Sequence, residues 1–314
     1  MHSGVGVQLI CFRCNPFLLD CNSSAIRARY TAEVGATPST NQEGMMKSGD
    51  LRDKVVLTTG ASSGIGAAIA REAAARGAIS VLVGRDAGKL DEVEHSIRSQ
   101  GGRSKAYVTN LTSAHEIELL RSRVAAEAGV PDILINNAGA GRWAFLDECS
   151  YDEIDEMVAA PLHAALYVTR AFLPGMLHRG TGAIGNVTFI GAFLPWPGAT
   201  GCTAVRWAMR GLHEAMRIDL RGTNLSTTLV AASAVKTEYW CRNKTRRPVT
   251  PAWIPVLEPE VVARASLDAL LSRKSVLILP KGMRFLRALH CITPGFVDRV
   301  MQRSTRLMRK PVMR

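Results

Sequence analysis

From Lys54 onward, short apolar runs alternate with stretches in which apolar residues return every three or four positions. Residues 55–59 (Val-Val-Leu-Thr-Thr) form an unbroken apolar and β-branched run, the pattern of a strand covered on both faces of a parallel sheet. Residues 67–76 follow with Ala and Ile at helical spacing, residues 79–83 read as a second strand, and residues 87–98 as a second helix. Further strands are predicted at 105–109, 133–135, 183–189, 226–230 and 276–279, and the clearest helix at 204–220. Strands alternating with helices imply right-handed crossovers. The expected fold is α/β, a Rossmann-type doubly wound parallel sheet in a single domain over residues 51–281.

The turn after the first strand reads Gly60-Ala61-Ser62-Ser63-Gly64-Ile65-Gly66. Gly60 permits a tight turn, while Gly64 and Gly66 let a pyrophosphate approach the backbone and the helix pack closely. The helix N-terminus then offers unpaired N–H groups to phosphate oxygens. Ser62, Ser63 and Ile65 belong to the same cradle. Where the second strand ends, an enzyme preferring NAD would place an acid for the ribose hydroxyls; this chain has Arg85, which suits a 2′-phosphate. Ser63 adds a hydroxyl donor for the same group, and Asp86, one step on, blunts the argument. The expected cofactor is NADP(H).

Composition narrows the class. The 314 residues are 47% hydrophobic and 21% charged, the balance of a globular chain. No run approaches the ~20 apolar residues that a membrane-spanning helix needs. The net charge of +12 is uneven: residues 273–314 hold eleven Lys or Arg against Asp298 alone, so the rest of the chain carries only +2. A nucleic-acid-binding face is therefore not expected. Seven scattered cysteines point to reduced thiols and a cytoplasmic protein. Cys11, Cys14 and Cys21 lack a fourth ligand at a suitable spacing, so no metal site is expected.

Residues 1–50 look different. The apolar run at 5–12 has no basic region before it, and Asp20, Glu33 and Glu43 argue against the transit peptide that Arg13, Arg27 and Arg29 suggest. Met45 or Met46 would serve equally as the first residue. This segment is expected to be a disordered or absent extension.

Thr59 to Gly66, together with Asn136-Asn137-Ala138-Gly139, resembles the short-chain dehydrogenase/reductase family over residues 51 to about 281. Residues 192–195, running into the long helix that ends at Leu220, match the same family. The resemblance implies that Asn110 and Leu111 lie beside an adenine, and that Asn137, Ala138 and Gly139 contribute to the cofactor site. It also implies a homo-oligomer. Members of the family use a tyrosine as general acid or base and a lysine four residues later that holds the nicotinamide ribose. A serine orients the substrate carbonyl and an asparagine completes a proton relay. At these positions the present sequence has Cys202, Arg206, Phe189 and Pro161, respectively. All four differ.

Phe189 cannot donate a hydrogen bond to a carbonyl. Thr188 is adjacent, but neighbours on a strand face opposite ways. Pro161 has neither a backbone N–H nor a polar side chain. Arg206 still supplies a cation and ribose hydrogen bonds. A Cys202 thiol can transfer a proton, although it ends well short of where a phenol would, and buried packing is an equal reading of it. Three functions follow. Cys202 and Arg206 form a divergent acid–base pair in an oxidoreductase acting on the alcohol or carbonyl of a small apolar substrate, which is the reading adopted. Alternatively, the chain is an inactive NADP(H)-binding sensor or scaffold, or a non-redox enzyme of isomerase type.

Further candidates are His163, near the lost asparagine position, and Tyr239 with Trp240. The latter pair lines an apolar pocket or packs a lid, in a segment where the family's Pro-Gly is replaced by Ala232-Ser233. Residues 282–314 form the third region, a basic amphipathic helical tail. Met283, Phe285, Leu286, Leu289 and Ile292 recur at near-helical spacing. After Pro294-Gly295 a second stripe runs through Phe296, Val297, Val300, Met301, Leu307 and Met308, opposed by Arg299, Arg303, Arg306, Arg309 and Lys310. Such a tail lies on an anionic membrane surface or packs as a lid or subunit contact.

Overall fold

A computed structural model describes residues 50–239, 251 and 253–305. The N-terminal extension, Cys11, Cys14, Cys21, Met45, Met46, Trp240, Leu307 and Met308 lie outside the described residues.

Seven parallel strands form one sheet: β1 (Val55–Thr59), β2 (Ile79–Gly84), β3 (Arg103–Val108), β4 (Ile133–Asn136), β5 (Gly182–Phe189), β6 (Leu225–Ala232) and β7 (Val276–Leu279). Their order is β3-β2-β1-β4-β5-β6-β7. The connecting helices are α1 (Gly64–Ala75), α2 (Ala87–Ser99), α3 (Ala114–Glu127), α4 (Tyr151–Val158), α5 (Ala164–Arg179), α6 (Thr200–Asp219) and α7 (Pro259–Leu271). Two more, α8 (Met283–Ile292) and α9 (Pro294–Thr305), follow the last strand.

Alternation along each strand sends successive side chains to opposite layers. In β1, Val56 joins Ile69 of α1 and Val262 and Leu267 of α7 in one cluster. Its neighbours Val55 and Leu57 join Leu120 of α3, Val168 and Phe172 of α5, and Met216 of α6 in the other. Burial on both faces explains why the strands read as continuous apolar runs. The chain order reverses between β1 and β4, which pair in register from Val56 with Ile133 to Thr58 with Ile135. Their C-terminal ends open a crevice at this switch point, where doubly wound sheets bind ligands.

The structure moves several boundaries. Helix α1 begins at Gly64, three residues ahead of the expected start, because two glycines that read as loop form its first turn. Helix α6 begins at Thr200, so Cys202 and Arg206 stand one turn apart on the same face. The expected tail is two helices, and Met283, Val297 and Met301 are buried in a core cluster with Ile278 and Trp196.

A buried polar chain crosses the sheet. Asn136 Nδ2 donates to Thr169 Oγ1 and Asn186 Oδ1, both at 3.0 Å. Asn186 Nδ2 reaches Thr227 Oγ1, which lies 3.2 Å from His213 Nδ1, and His213 Nε2 lies 3.3 Å from Ser275 Oγ. Burial holds the His213 pKa below its ordinary 6.5. The folded chain thus takes up the proton less readily than the unfolded chain, so His213 leaves stability intact above about pH 6.5 and erodes it as the pH falls below that value. Melting temperatures measured between pH 7.5 and 5 are expected to fall less steeply in His213→Gln than in the native chain.

Candidate cofactor and active site

A cavity of about 720 Å³ follows the C-terminal edge of the sheet. Cys202, Arg206, Gly60, Ser62, Ser63, Gly64 and Ile65 line it. So do Arg85, Asn110, Leu111, Asn137, Ala138 and Gly139. Gly66 sits behind this lining, in the first turn of α1. A methyl group there would overlap the Gly60 carbonyl and the Asn137 amide, so Gly66 exists to let α1 pack on the preceding turn. Gly60 and Gly64 have φ of 64° and 56°, the left-handed region that favours glycine.

Asn137 ties the two ends of the crevice together. Its Nδ2 donates to the Thr59 carbonyl at 3.0 Å and to the Gly60 carbonyl at 3.3 Å. Thr59 Oγ1 in turn accepts from the backbone N–H groups of Asn137 and Ala138. These bonds hold the glycine turn against the end of β4. Asn110, which lines the cavity, is held by its Oδ1, which accepts from Thr112 N and Thr112 Oγ1.

At one end, Ser63 caps α1 without using its side chain, and no acid occupies the first turn of that helix. Asp86 Oδ1 accepts from Lys89 N at 3.1 Å and so caps α2. The acid beside Arg85 thus caps a helix, while exposed Arg85 makes no ion pair among the described residues. The open helix terminus, the unengaged hydroxyl and the guanidinium fit an anionic dinucleotide.

The other end is apolar and aromatic. Phe189 meets Trp143 and Trp196 edge-on, each with centroids 5.3 Å apart, and the two tryptophans lie 6.1 Å from one another. Pro161 is buried in a π-helical turn over Ala159–His163. His163, which the sequence reads as a pocket residue or, with more reason, as a helix-surface or core histidine, lies exposed and stacks on Tyr167. Both Thr188 and Phe189 line the cavity, contrary to strict strand alternation, because β5 ends there and turns into a 3₁₀ segment. Thr188 Oγ1, Ser233 Oγ and Arg206 Nε, on three lining residues, are buried without a protein partner.

Cys202 and Arg206 are 3% and 7% exposed. Arg206 Nη2 lies 3.5 Å from the Ala140 carbonyl. Burial opposes its charge, but Cys202 and Tyr239 outweigh that and hold its pKa above the ordinary value. Tyr239 reaches this cluster from the segment after β6, and its hydroxyl lies within hydrogen-bonding reach of Cys202 and Arg206. Sequence reasoning named Tyr239 as a wall residue without linking it to Cys202. The signal available was the tyrosine two residues after Thr237, in the segment that covers the site.

The short chain dehydrogenase family profile matches residues 54–247, and the chain belongs to that family. Epidermal retinol dehydrogenase 2 of Mus musculus is 31% identical over 249 residues, covering 77% of this chain and 78% of the mouse protein. A short-chain dehydrogenase from Sphingobium yanoikuyae, solved with NADPH, is 28% identical, with a TM-score of 0.67 over 78% of this chain and 95% of that one. A family member from Burkholderia phymatum, solved with NAD, shares the fold at a TM-score of 0.72 and 23% identity, covering 80% and 96%. The fold and family are those of a short-chain oxidoreductase that uses a nicotinamide cofactor.

Proposed function

We propose that the chain is an NADP(H)-dependent oxidoreductase acting on the carbonyl or alcohol of a small apolar substrate. The observation that carries the cofactor choice is that Arg85 and Ser63 line the same cavity, with Asp86 engaged as a helix cap. The aromatic lining of Trp143 and Phe189, with Trp196 packed on both rings, supports an apolar substrate, as does the mouse relative, whose name gives retinol as its substrate. When bound, the nicotinamide supplies the hydride. The chain's own residues bind and orient: Ser62, Ser63 and the α1 terminus hold phosphates, Asn110 and Leu111 flank the adenine, and Arg206 holds the nicotinamide ribose. Arg206 and Cys202 take the family's lysine and tyrosine positions, and Phe189 and Pro161 those of its serine and asparagine. Catalysis through this altered set therefore lacks the serine's electrophilic contact. Incubating the purified chain with NADPH and a panel of apolar ketones and aldehydes is expected to oxidise the cofactor. Binding without oxidation by any member would transfer the assignment to a sensor or scaffold.

The protein is further proposed to work in the cytoplasm against an anionic membrane surface. Phe285, Leu289, Ile292 and Phe296 repeat along α8 into α9, and Phe285 and Ile292 are 82% and 79% exposed. Lys281, Arg284, Arg299 and Arg303 surround them, all exposed. Each basic residue near an anionic lipid surface contributes about 1 kcal/mol. No helix among the described residues is long and apolar enough to cross a membrane. Co-sedimentation with phosphatidylserine vesicles is expected to fall at least ~10-fold in the double variant Phe285→Ser, Ile292→Ser, because each loses about 1.5–3 kcal/mol of apolar burial. Equal binding by the variant would remove the membrane reading, and a dimer in solution that the same changes dissociate would assign this face to a second copy.

A further inference from the structure

Resting on the oxidoreductase reading, we propose that Tyr239 donates the proton in carbonyl reduction, a phenol brought in from the segment after β6 in place of one on α6. Among the described lining residues of the cavity it is the one phenol. Its position is set by the fold. Val235 bridges Leu257, and backbone bonds from Lys236 N to the Leu257 carbonyl and from Leu257 N to the Ala234 carbonyl, both 2.9 Å, anchor the segment. Glu238 pairs with Lys89 at 2.7 Å, Tyr239 N lies 3.4 Å from Thr237 Oγ1, and Thr237 packs on Gly64. Tyr239 is therefore tied both to the cofactor turn and to the sheet edge.

The hydroxyl arrives at the family's proton-donor corner. A methyl group built on Gly141 would overlap the Tyr239 hydroxyl and stand 3.3 Å from Cys202 Sγ, so both atoms crowd the same point. The short Cys202 side chain at the α6 position leaves this volume to a ring entering from the opposite side. Trp143, Phe189 and Trp196 belong to one apolar cluster with Cys202 and Tyr239, and apolar surroundings strengthen a hydrogen bond made there.

The step balances. The substrate carbonyl carbon gains a hydride from the reduced nicotinamide, and the C=O π pair moves onto oxygen. The Tyr239 O–H bond breaks and its proton goes to that oxygen, giving the alcohol. The phenolate regains a proton from solvent. Burial first, and then the neighbouring thiol, push the Tyr239 pKa up to about 12 against the lowering by Arg206. The phenol is therefore protonated throughout the neutral range and available as a proton donor to a carbonyl oxygen.

The test compares Tyr239→Phe, Gly141→Ala and Cys202→Ala with the native chain. NADPH binding, followed by nicotinamide fluorescence, is expected to stay within a few-fold in Tyr239→Phe, while reduction of the carbonyl panel falls by roughly 100-fold or more. Gly141→Ala, which displaces the hydroxyl without removing it, is expected to lower turnover as well. The native reduction rate is expected to hold from pH 7 to above pH 10, because the Tyr239 phenol keeps its proton over that range. In the apo chain, the difference in ultraviolet titration between native and Tyr239→Phe should show one phenol ionising near pH 12. Turnover that survives Tyr239→Phe but vanishes in Cys202→Ala would overturn the assignment and leave the oxidoreductase reading standing. A phenol ionising near its ordinary value of 10 would overturn the buried placement. Absence of turnover in the native chain would remove both readings together.

Discussion

Arg85→Asp is expected to weaken NADPH binding by on the order of 100-fold, with NADH binding unchanged or improved. The guanidinium stands at the end of β2 with no acidic partner among the described residues. Its hydrogen bonds to a 2′-phosphate would be charge-assisted, about 1.5–3 kcal/mol before any repulsion from the new carboxylate is counted. The preference should also shrink with added salt, because the group is exposed and exposed charges are screened. Asp86 gives the internal comparison. Its carboxylate caps α2 at 3.1 Å, so Asp86→Ala is expected to cost about 1 kcal/mol of stability without changing the cofactor preference. Affinities for NADPH and NADH in the two variants check both statements. Equal NADPH affinity in Arg85→Asp would remove the argument for the phosphorylated cofactor.

Gly66→Val is expected to be the most damaging single change to the fold of the site. A Cβ at Gly66 already overlaps the Gly60 carbonyl and the Asn137 amide, and neither can yield cheaply. Gly60 is fixed in a left-handed turn, and Asn137 holds the ends of β1 and β4 together through the Thr59 and Gly60 carbonyls. Overpacking costs about 1–3 kcal/mol, and losing the Asn137 bonds adds about 1 kcal/mol more. For a domain of this size that corresponds to a fall in melting temperature of roughly 5–15 °C. NADPH binding should be lost with it, because α1 can no longer present its N-terminus. Thermal unfolding and cofactor titration on the same sample check this. A stable variant with native affinity would show that the turn tolerates displacement.

The strands were legible because burial on both faces writes them as apolar runs, and the sheet order followed from their alternation with helices. The start of α1 was not, since Gly64 and Gly66 signal loop by propensity and join the helix only through packing against Gly60. The phosphate end was legible residue by residue: glycines, serines and Arg85 are local in sequence. What Asp86 does depended on a side-chain bond to a residue three positions on, which spacing alone leaves open. The catalytic end was the least legible. Cys202, Arg206, Phe189 and Pro161 stood out by contrast with the family pattern. The phenol beside them lies on a different element, and its place in the covering segment two residues after Thr237 does not by itself mark its approach to α6. Long-range contacts of that kind carry no periodic signal. The buried Met283, Val297 and Met301 show the same limit in the tail, whose inward and outward faces separate only once the two helices are packed.

The most direct test of the central claim is a fluorescence titration of the native chain with NADPH, and in parallel with NADH. The account predicts saturable binding with a clear preference for NADPH, carried by Arg85 and the α1 terminus. Binding of neither cofactor would contradict the cradle and every catalytic assignment built on it.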